Sequence, residues 1–120
     1  MQGAKVLVVD DDPVIRLMLT HQLNSTCEVT TVDSAEEAMS LGSSDQFDLV
    51  ICDFEMPGLS GIDLYNNWTK SNNTPFILMT GHLEATELDS TLLSEITVLN
   101  KPVSTSTLLA AVAKSTPINS

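Results

Sequence analysis

Lys5-Val6-Leu7-Val8-Val9-Asp10-Asp11-Asp12-Pro13 is the stretch on which the fold turns. It opens with a continuous apolar run of the kind found in a strand covered on both faces. Carboxylates then end the run abruptly, and Asp12-Pro13 supplies a helix start, with Asp at the N-cap and Pro at the first helical position. A strand, an acidic end and a helix therefore follow one another without a linker. The helix is expected to reach about residue 24, with Ile15, Leu19, Gln22 and Leu23 along one face.

The same alternation continues outward from that stretch. Residues 28–32 form the second expected strand. Ser34-Ala35-Glu36-Glu37 is a capping box opening a second helix, which Gly42 ends. Residues 47–52 are a third strand that stops at Asp53, and after the 57–61 loop a third helix covers 62 to about 70, with Asn72-Asn73 as its break. Residues 76–79 are a fourth strand ending on Thr80, 84–93 a weaker helix, 96–99 a fifth strand and 104–113 a last helix. Residues 115–120 read as a tail or the start of a linker, so residues 1–120 are expected to be one domain. Five strands alternating with five helices predict an α/β fold: a doubly wound parallel sheet with right-handed crossovers and helices on both faces.

Composition narrows the function. At 120 residues and 42% hydrophobic, the chain can bury a real core without staples. Only five residues are aromatic, so that core must be aliphatic. Sixteen acids against five bases give a formal charge of −11, which argues against direct nucleic-acid binding and suits a partner with a basic rim. No apolar run approaches a membrane span, and Met1-Gln2-Gly3-Ala4-Lys5 lacks the shape of a signal peptide. Cys27 and Cys52 are too far apart for a metal knuckle; Cys52, inside an apolar strand, reads as a buried free thiol and points to a reducing cytoplasm.

Ligands of an open parallel α/β sheet bind beyond the carboxyl ends of its strands, so the residues after each apolar run matter most. Strand one ends in Asp10-Asp11-Asp12, strand three in Asp53, strand four in Thr80-Gly81 and strand five in Asn100-Lys101-Pro102. Crowded carboxylates cannot all stay ionised without a counter-charge. A hard divalent cation resolves that, and Mg²⁺ typically takes one or two carboxylates with waters and phosphate oxygens. Lys101 adds a positive charge and Thr80 a hydroxyl donor. Together these are the parts needed for phosphoryl transfer to an aspartate.

In its Val8-Val9-Asp10-Asp11, its Asp53 followed by Met56-Pro57-Gly58-Leu59-Ser60-Gly61, its Thr80-Gly81 and its Lys101-Pro102, the chain resembles a two-component response-regulator receiver domain from end to end. The resemblance implies a flavodoxin-like sheet of order 2-1-3-4-5. It implies Asp53 as phosphoacceptor from a sensor histidine kinase or histidine phosphotransfer protein. Mg²⁺, with Mn²⁺ as a substitute, would be held by Asp10, Asp11, Asp53 and the backbone carbonyl of Glu55. Lys101 would pair with Asp53 and then with phosphoryl oxygens, and Thr80 would swing toward the phosphoryl group. The peptide bond before Pro102 would be cis. A cytoplasmic monomer or weak dimer is the expected state.

Departures from that pattern fall on the readout. Where the family often holds Tyr or Phe as the partner of the switch Thr, this chain has Val98. Leu93-Ser94-Glu95 replaces the Gly-Ala pair that usually precedes strand five. Glu55 and His82 occupy positions that in the family tune the lifetime of the phosphoryl group. The first helix carries more apolar residues than one buried face needs, with Leu17 nearly opposite the Ile15–Leu19–Leu23 stripe and Val14 at its margin. Val14, Leu17 and Pro102 are accordingly the expected landing site of a helical phosphodonor.

Other residues have plainer readings. Asp12 is a helix cap, Glu36 and Glu37 are exposed surface, His21 and His82 lack spaced ligand partners, and Trp68 is packing for the third helix. Three rival functions are weaker. Asp10-Asp11-Asp12-Pro13-Val14 also fits the nucleophile signature of haloacid-dehalogenase-like phosphatases, but no acidic pair follows strands four or five. A non-phosphorylated pseudo-receiver serving as an interaction module would lose an acid or the Lys. A flavin binder would need a Ser/Thr/Gly-rich phosphate loop where three aspartates stand.

Overall fold

A computed structural model describes residues 4–42, 47–56, 58, 60–68, 74–81, 96–101 and 103–115. In chain order they form β1 (Ala4–Val9), α1 (Pro13–Leu23), β2 (Cys27–Val32), α2 (Ala35–Gly42), β3 (Leu49–Asp53), α3 (Gly61–Trp68), β4 (Phe76–Thr80), β5 (Thr97–Asn100) and α4 (Thr105–Ser115). The strands make one sheet in the order β2-β1-β3-β4-β5. Every pairing in it is parallel. The expected fold class and strand order are both borne out. The helix expected over 84–93 lies outside the described residues, as do Leu93-Ser94-Glu95, His82 and Pro102.

The central strands are apolar on both sides because both sides are covered. Val6, Val8, Leu49, Ile51, Ile77 and Met79 pack with Leu19 and Leu23 of α1 and Leu108, Ala111 and Val112 of α4. The alternate residues Leu7, Val9, Val50, Cys52, Phe76 and Leu78 pack with Ala35 and Ala38 of α2 and Leu64 and Trp68 of α3. Fully burying one such Leu or Ile stabilises by about 1.5–3 kcal/mol, and these two clusters hold most of the fold. Trp68 is core, as expected, with its ring edge-on to Phe76 at 6.2 Å.

The caps expected at Asp12 and Ser34 are in place, and Ser104, expected as the first helical residue, is a third. Asp12 Oδ1 accepts from the Val14 backbone N–H at 2.9 Å, so Asp12 is spent on the start of α1. Ser34 Oγ accepts from the Glu37 N–H at 3.0 Å, while Glu37 Oε1 reaches back to the N–H of Asp33, one residue further than a standard capping box. Ser104 caps α4 through the Thr107 N–H at 3.2 Å.

Several boundaries differ from the sequence reading by a residue or two, and three of them have a visible cause. β3 begins at Leu49, not residue 47, because the Phe47 ring turns onto Trp68 at 6.3 Å. Asp48 instead ties the strand start to β1, donating its N–H to the Lys5 carbonyl and accepting the Lys5 N–H. β5 begins at Thr97, since Ile96 is buried in the core without entering the ladder. Ser115 belongs to α4 and not to a tail; Val112 still packs inward there, and Lys114 sits favourably in the last turn. No helix among the described residues is long and apolar enough to cross a membrane.

Gly61 ties the fold to the end of β3. Its N–H donates to the Phe54 carbonyl, and a Cβ there would lie 2.6 Å from the Asp53 carbonyl oxygen and 3.1 Å from Leu78 Cδ2. Gly81 has nothing within 4 Å of such a Cβ among the described residues. Gly61→Ala is therefore expected to cost about 1–3 kcal/mol through overpacking against backbone, with Gly81→Ala within about 0.5 kcal/mol of wild type. Urea unfolding of the two variants checks this; equal midpoints would refute it.

Candidate functional site

The parallel register itself makes the site. Val9 pairs with Cys52, so the next residues, Asp10 and Asp53, fall side by side at the carboxyl edge. Both are buried, at 1% and 5% exposure. Backbone bonds carry the ladder past the strand ends: Asp10 N–H to the Val32 carbonyl at 3.2 Å, Phe54 N–H to Met79 at 2.8 Å and Lys101 N–H to Thr80 at 2.8 Å. Side-chain alternation then sends Asp10, Asp53 and Lys101 toward the α1/α4 side and Thr80 toward the α2/α3 side.

Two neighbouring buried carboxylates need a counter-charge. Lys101 provides it, with Nζ 3.2 Å from Asp10 Oδ2 and 3.1 Å from Asp53 Oδ1. The sequence implied the Asp53 pairing; the equal bridge to Asp10 is an addition. Asp10 is further held by the Asp12 N–H on Oδ1 at 2.9 Å, so both of its oxygens are engaged. Asp53 Oδ1 accepts a second contact from the Glu55 N–H at 3.3 Å. Among the described residues, Asp53 Oδ2 takes no hydrogen bond or ion pair. Asp11 is exposed, yet one carboxylate oxygen from each of Asp10, Asp11 and Asp53 lies within 4.8 Å of the others. This hard-oxygen set fits a small divalent cation.

Burial, and then the charge of Asp10, push the Asp53 carboxyl above its ordinary value, although the Lys101 ammonium and the Glu55 N–H pull it back. Burial alone would lower Lys101, but its hydrogen bond to Asp53 and the two carboxylate charges outweigh that and hold it protonated. Cys52, next in chain to Asp53, is a buried free cysteine whose thiol donates to the Asp53 carbonyl at 3.3 Å. Burial first, then the adjacent carboxylates, raises it out of the reactive range.

The remaining expected residues divide into three groups. Thr80 is fully buried, and half-buried Val98 packs on the same α2/α3 side one strand away, so the two expected switch positions share a face. Glu55 presents its N–H to Asp53 while its side chain is exposed. Val14 and Leu17 are 62% and 72% exposed on α1, joined by Met18, which the sequence reading did not single out. Arg16 was also missed. Its Nη1 donates to the backbone carbonyl of Asp10 at 2.6 Å, a contact that no residue pattern signals.

Comparison with known proteins agrees with this geometry. The family model of the response regulator receiver domain matches residues 6–113. The chain is 32% identical over 89 residues to a protein-glutamate methylesterase/protein-glutamine glutaminase of Nitrosospira multiformis, covering 72% of this chain and 25% of that protein. It is 32% identical over 121 residues to the sensor protein GacS of Pseudomonas syringae pv. syringae, covering 94% of this chain and 13% of the sensor. The chain thus spans a minor part of both longer proteins. Among solved structures, the receiver domain of a Francisella response regulator superposes with a TM-score of 0.84 at 30% identity, covering 98% of this chain and 99% of that one.

The raised Asp53 carboxyl has a consequence for stability. The folded state favours its protonated form, so the stabilising contribution is full below the ordinary carboxylate range and is lost as pH rises through the raised value. At neutral pH, ionised Asp53 is thus a net cost, and Lys101 keeps Asp10 as partner if Asp53 becomes neutral. Asp53→Asn, without divalent cation, is expected to stabilise the domain at pH 7 by about 1 kcal/mol, a few degrees in Tm. The advantage should shrink as the buffer is made more acidic. Thermal melts across pH 4–7 measure it; an Asn variant less stable at pH 7 would contradict the electrostatic account.

Proposed function

The chain belongs to the response regulator receiver domain family of two-component systems, and on that premise we propose that Asp53 accepts a phosphoryl group from a phosphohistidine partner in a Mg²⁺-dependent reaction. The observation that carries the assignment is the asymmetry of the two buried carboxylates. Asp10 has one oxygen on the Asp12 N–H and the other on Lys101, whereas Asp53 keeps Oδ2 uncommitted among the described residues. A nucleophile needs a lone pair that is not already shared. The same asymmetry weighs against a phosphatase reading with Asp10 as nucleophile.

In the reaction, Asp53 Oδ2 attacks phosphorus in line, the phosphorus–nitrogen bond to the partner's imidazole breaks, and an acyl phosphate forms. Asp10, Asp11 and Asp53, with the Glu55 carbonyl, would hold Mg²⁺ or Mn²⁺, which supplies charge neutralisation for the incoming dianion. Lys101, already within 3.1 Å of Asp53, needs only to turn its ammonium onto a phosphoryl oxygen. Thr80 would offer its hydroxyl from the next strand, with Val98 beside it as the readout position. On this reading the domain catalyses only its own phosphorylation and dephosphorylation.

The partner would be a sensor histidine kinase or a histidine phosphotransfer protein. The exposed apolar residues Val14 and Leu17 on α1, beside the site and on a chain of charge −11, suit a helix with an apolar stripe and a basic rim. Pro102, the third expected docking residue, lies outside the described residues.

A small phosphodonor such as acetyl phosphate, with Mg²⁺, is expected to add one phosphoryl group per chain, seen by intact-mass measurement. Chelation should abolish the addition, as should Asp53→Asn, while Asp12→Asn leaves it intact. Incorporation that survives Asp53→Asn, or that ignores chelator, would overturn the assignment.

A further inference from the structure

Arg16 stands in the wrong place for a surface charge. It is four residues past the Asp12 cap, at the end of α1 where the backbone dipole is positive and cations are disfavoured. The chain has sixteen acids, yet among the described residues Arg16 makes no ion pair with any of them. Its guanidinium is spent on a neutral atom, the carbonyl oxygen of buried Asp10, at 2.6 Å. A local rule broken at a cost calls for a compensating use.

The use follows from how the three carboxylates are fixed. Asp10 is held by the Asp12 N–H and Lys101, and Asp53 by Lys101 and the Glu55 N–H. Asp11, the exposed member, has no side-chain hydrogen bond or ion pair among the described residues. What directs its carboxylate is the backbone alone. The Asp10 carbonyl and the Asp11 N–H share one rigid peptide plane, so a clamp on that oxygen sets the direction in which Asp11 leaves the chain. Arg16 is itself seated in the helix by its N–H to the Asp12 carbonyl at 3.1 Å, which makes the clamp stiff.

We propose that Arg16 is a positioning residue for the divalent-cation site, locking the Asp10–Asp11 peptide so that the Asp11 carboxylate faces Asp10 and Asp53. This rests on the reading of those three acids as a cation site. The clamp suits Mg²⁺ in particular, because Mg²⁺ demands near-ideal octahedral geometry while Ca²⁺ tolerates a looser one.

Charge and geometry predict opposite signs, which makes the test sharp. If Arg16 acted through its charge, removing it would leave a more negative site and tighter cation binding. If it acts as a clamp, removal weakens Mg²⁺, by about tenfold, the low end for an outer partner of a metal ligand, and narrows the preference over Ca²⁺. Calorimetric titration of the full chain with Mg²⁺ and with Ca²⁺ is run on wild type and Arg16→Met, with metal-free melts confirming that both are folded. Should the Met variant not fold, Arg16→Gln, too short to reach the carbonyl, takes its place. Weaker Mg²⁺ with relatively spared Ca²⁺ supports the clamp. Unchanged or tighter Mg²⁺ overturns it, as does an equal loss for both ions. A wild-type chain with no Mg²⁺ binding at all defeats the cation-site reading beneath it, a result distinguishable from failure of the clamp alone.

Discussion

Asp10 and Asp53 are buried side by side because parallel strands in register leave them nowhere else to go. Their repulsion is the constraint around which the carboxyl edge is arranged. Lys101 answers it from the far side of β4, reaching over one strand to Asp53 and over two to Asp10. Its own burial would expel the charge, and only the two anions hold it there. The two carboxylates are buried and Lys101 is half-buried, and the desolvation of the three groups together is a standing cost. The apolar core on both faces of the sheet carries that cost. A strongly acidic triad on a weaker frame would simply neutralise itself by protonation.

That arrangement also explains the division of labour among the short contacts. Both oxygens of Asp10 and Oδ1 of Asp53 have a donor on them: the Asp12 N–H, the Glu55 N–H or the Lys101 ammonium. Two of these donors are backbone N–H groups just beyond the strand ends, and the third is the side chain of Lys101 after β5. Asp11 is exposed and is held less directly. Its carboxylate nevertheless lies within 4.8 Å of the buried pair, so one exposed and two buried acids share the carboxyl edge.

Much of this was legible from residue order alone. The Val6–Val9 run is apolar throughout because both faces are covered, and nothing in it competes with that reading. Asp10, Asp53, Thr80 and Lys101 could be assembled from their places after apolar runs, since a parallel α/β sheet collects its strand ends at one edge. What failed was local. Phe47-Asp48 has the pattern of a strand, but the Phe47 ring is drawn to Trp68, and Ile96 is buried without pairing. The Arg16 contact was invisible for a different reason. Its partner is a backbone carbonyl, and a backbone atom has no letter in a sequence. The Asp10–Lys101 bridge likewise depends on register, which the pattern of side chains does not state.

The acidic cluster and the Thr80–Val98 pair lie on opposite faces of one sheet. Asp10, Asp53 and Lys101 continue the α1/α4 side, whereas Thr80 and Val98 continue the α2/α3 side. A β-branched residue packed into a core keeps essentially one rotamer, so Val98 cannot swing between inside and outside as a ring might. The two faces nevertheless are joined at this edge, where the N–H of Lys101 is held by the carbonyl of Thr80 at 2.8 Å. Any event that pulls the Lys101 side chain away from the carboxylates therefore acts on a backbone already fastened to Thr80. The link between the two faces thus runs through main chain, and half-buried Val98 adds no rotor to it.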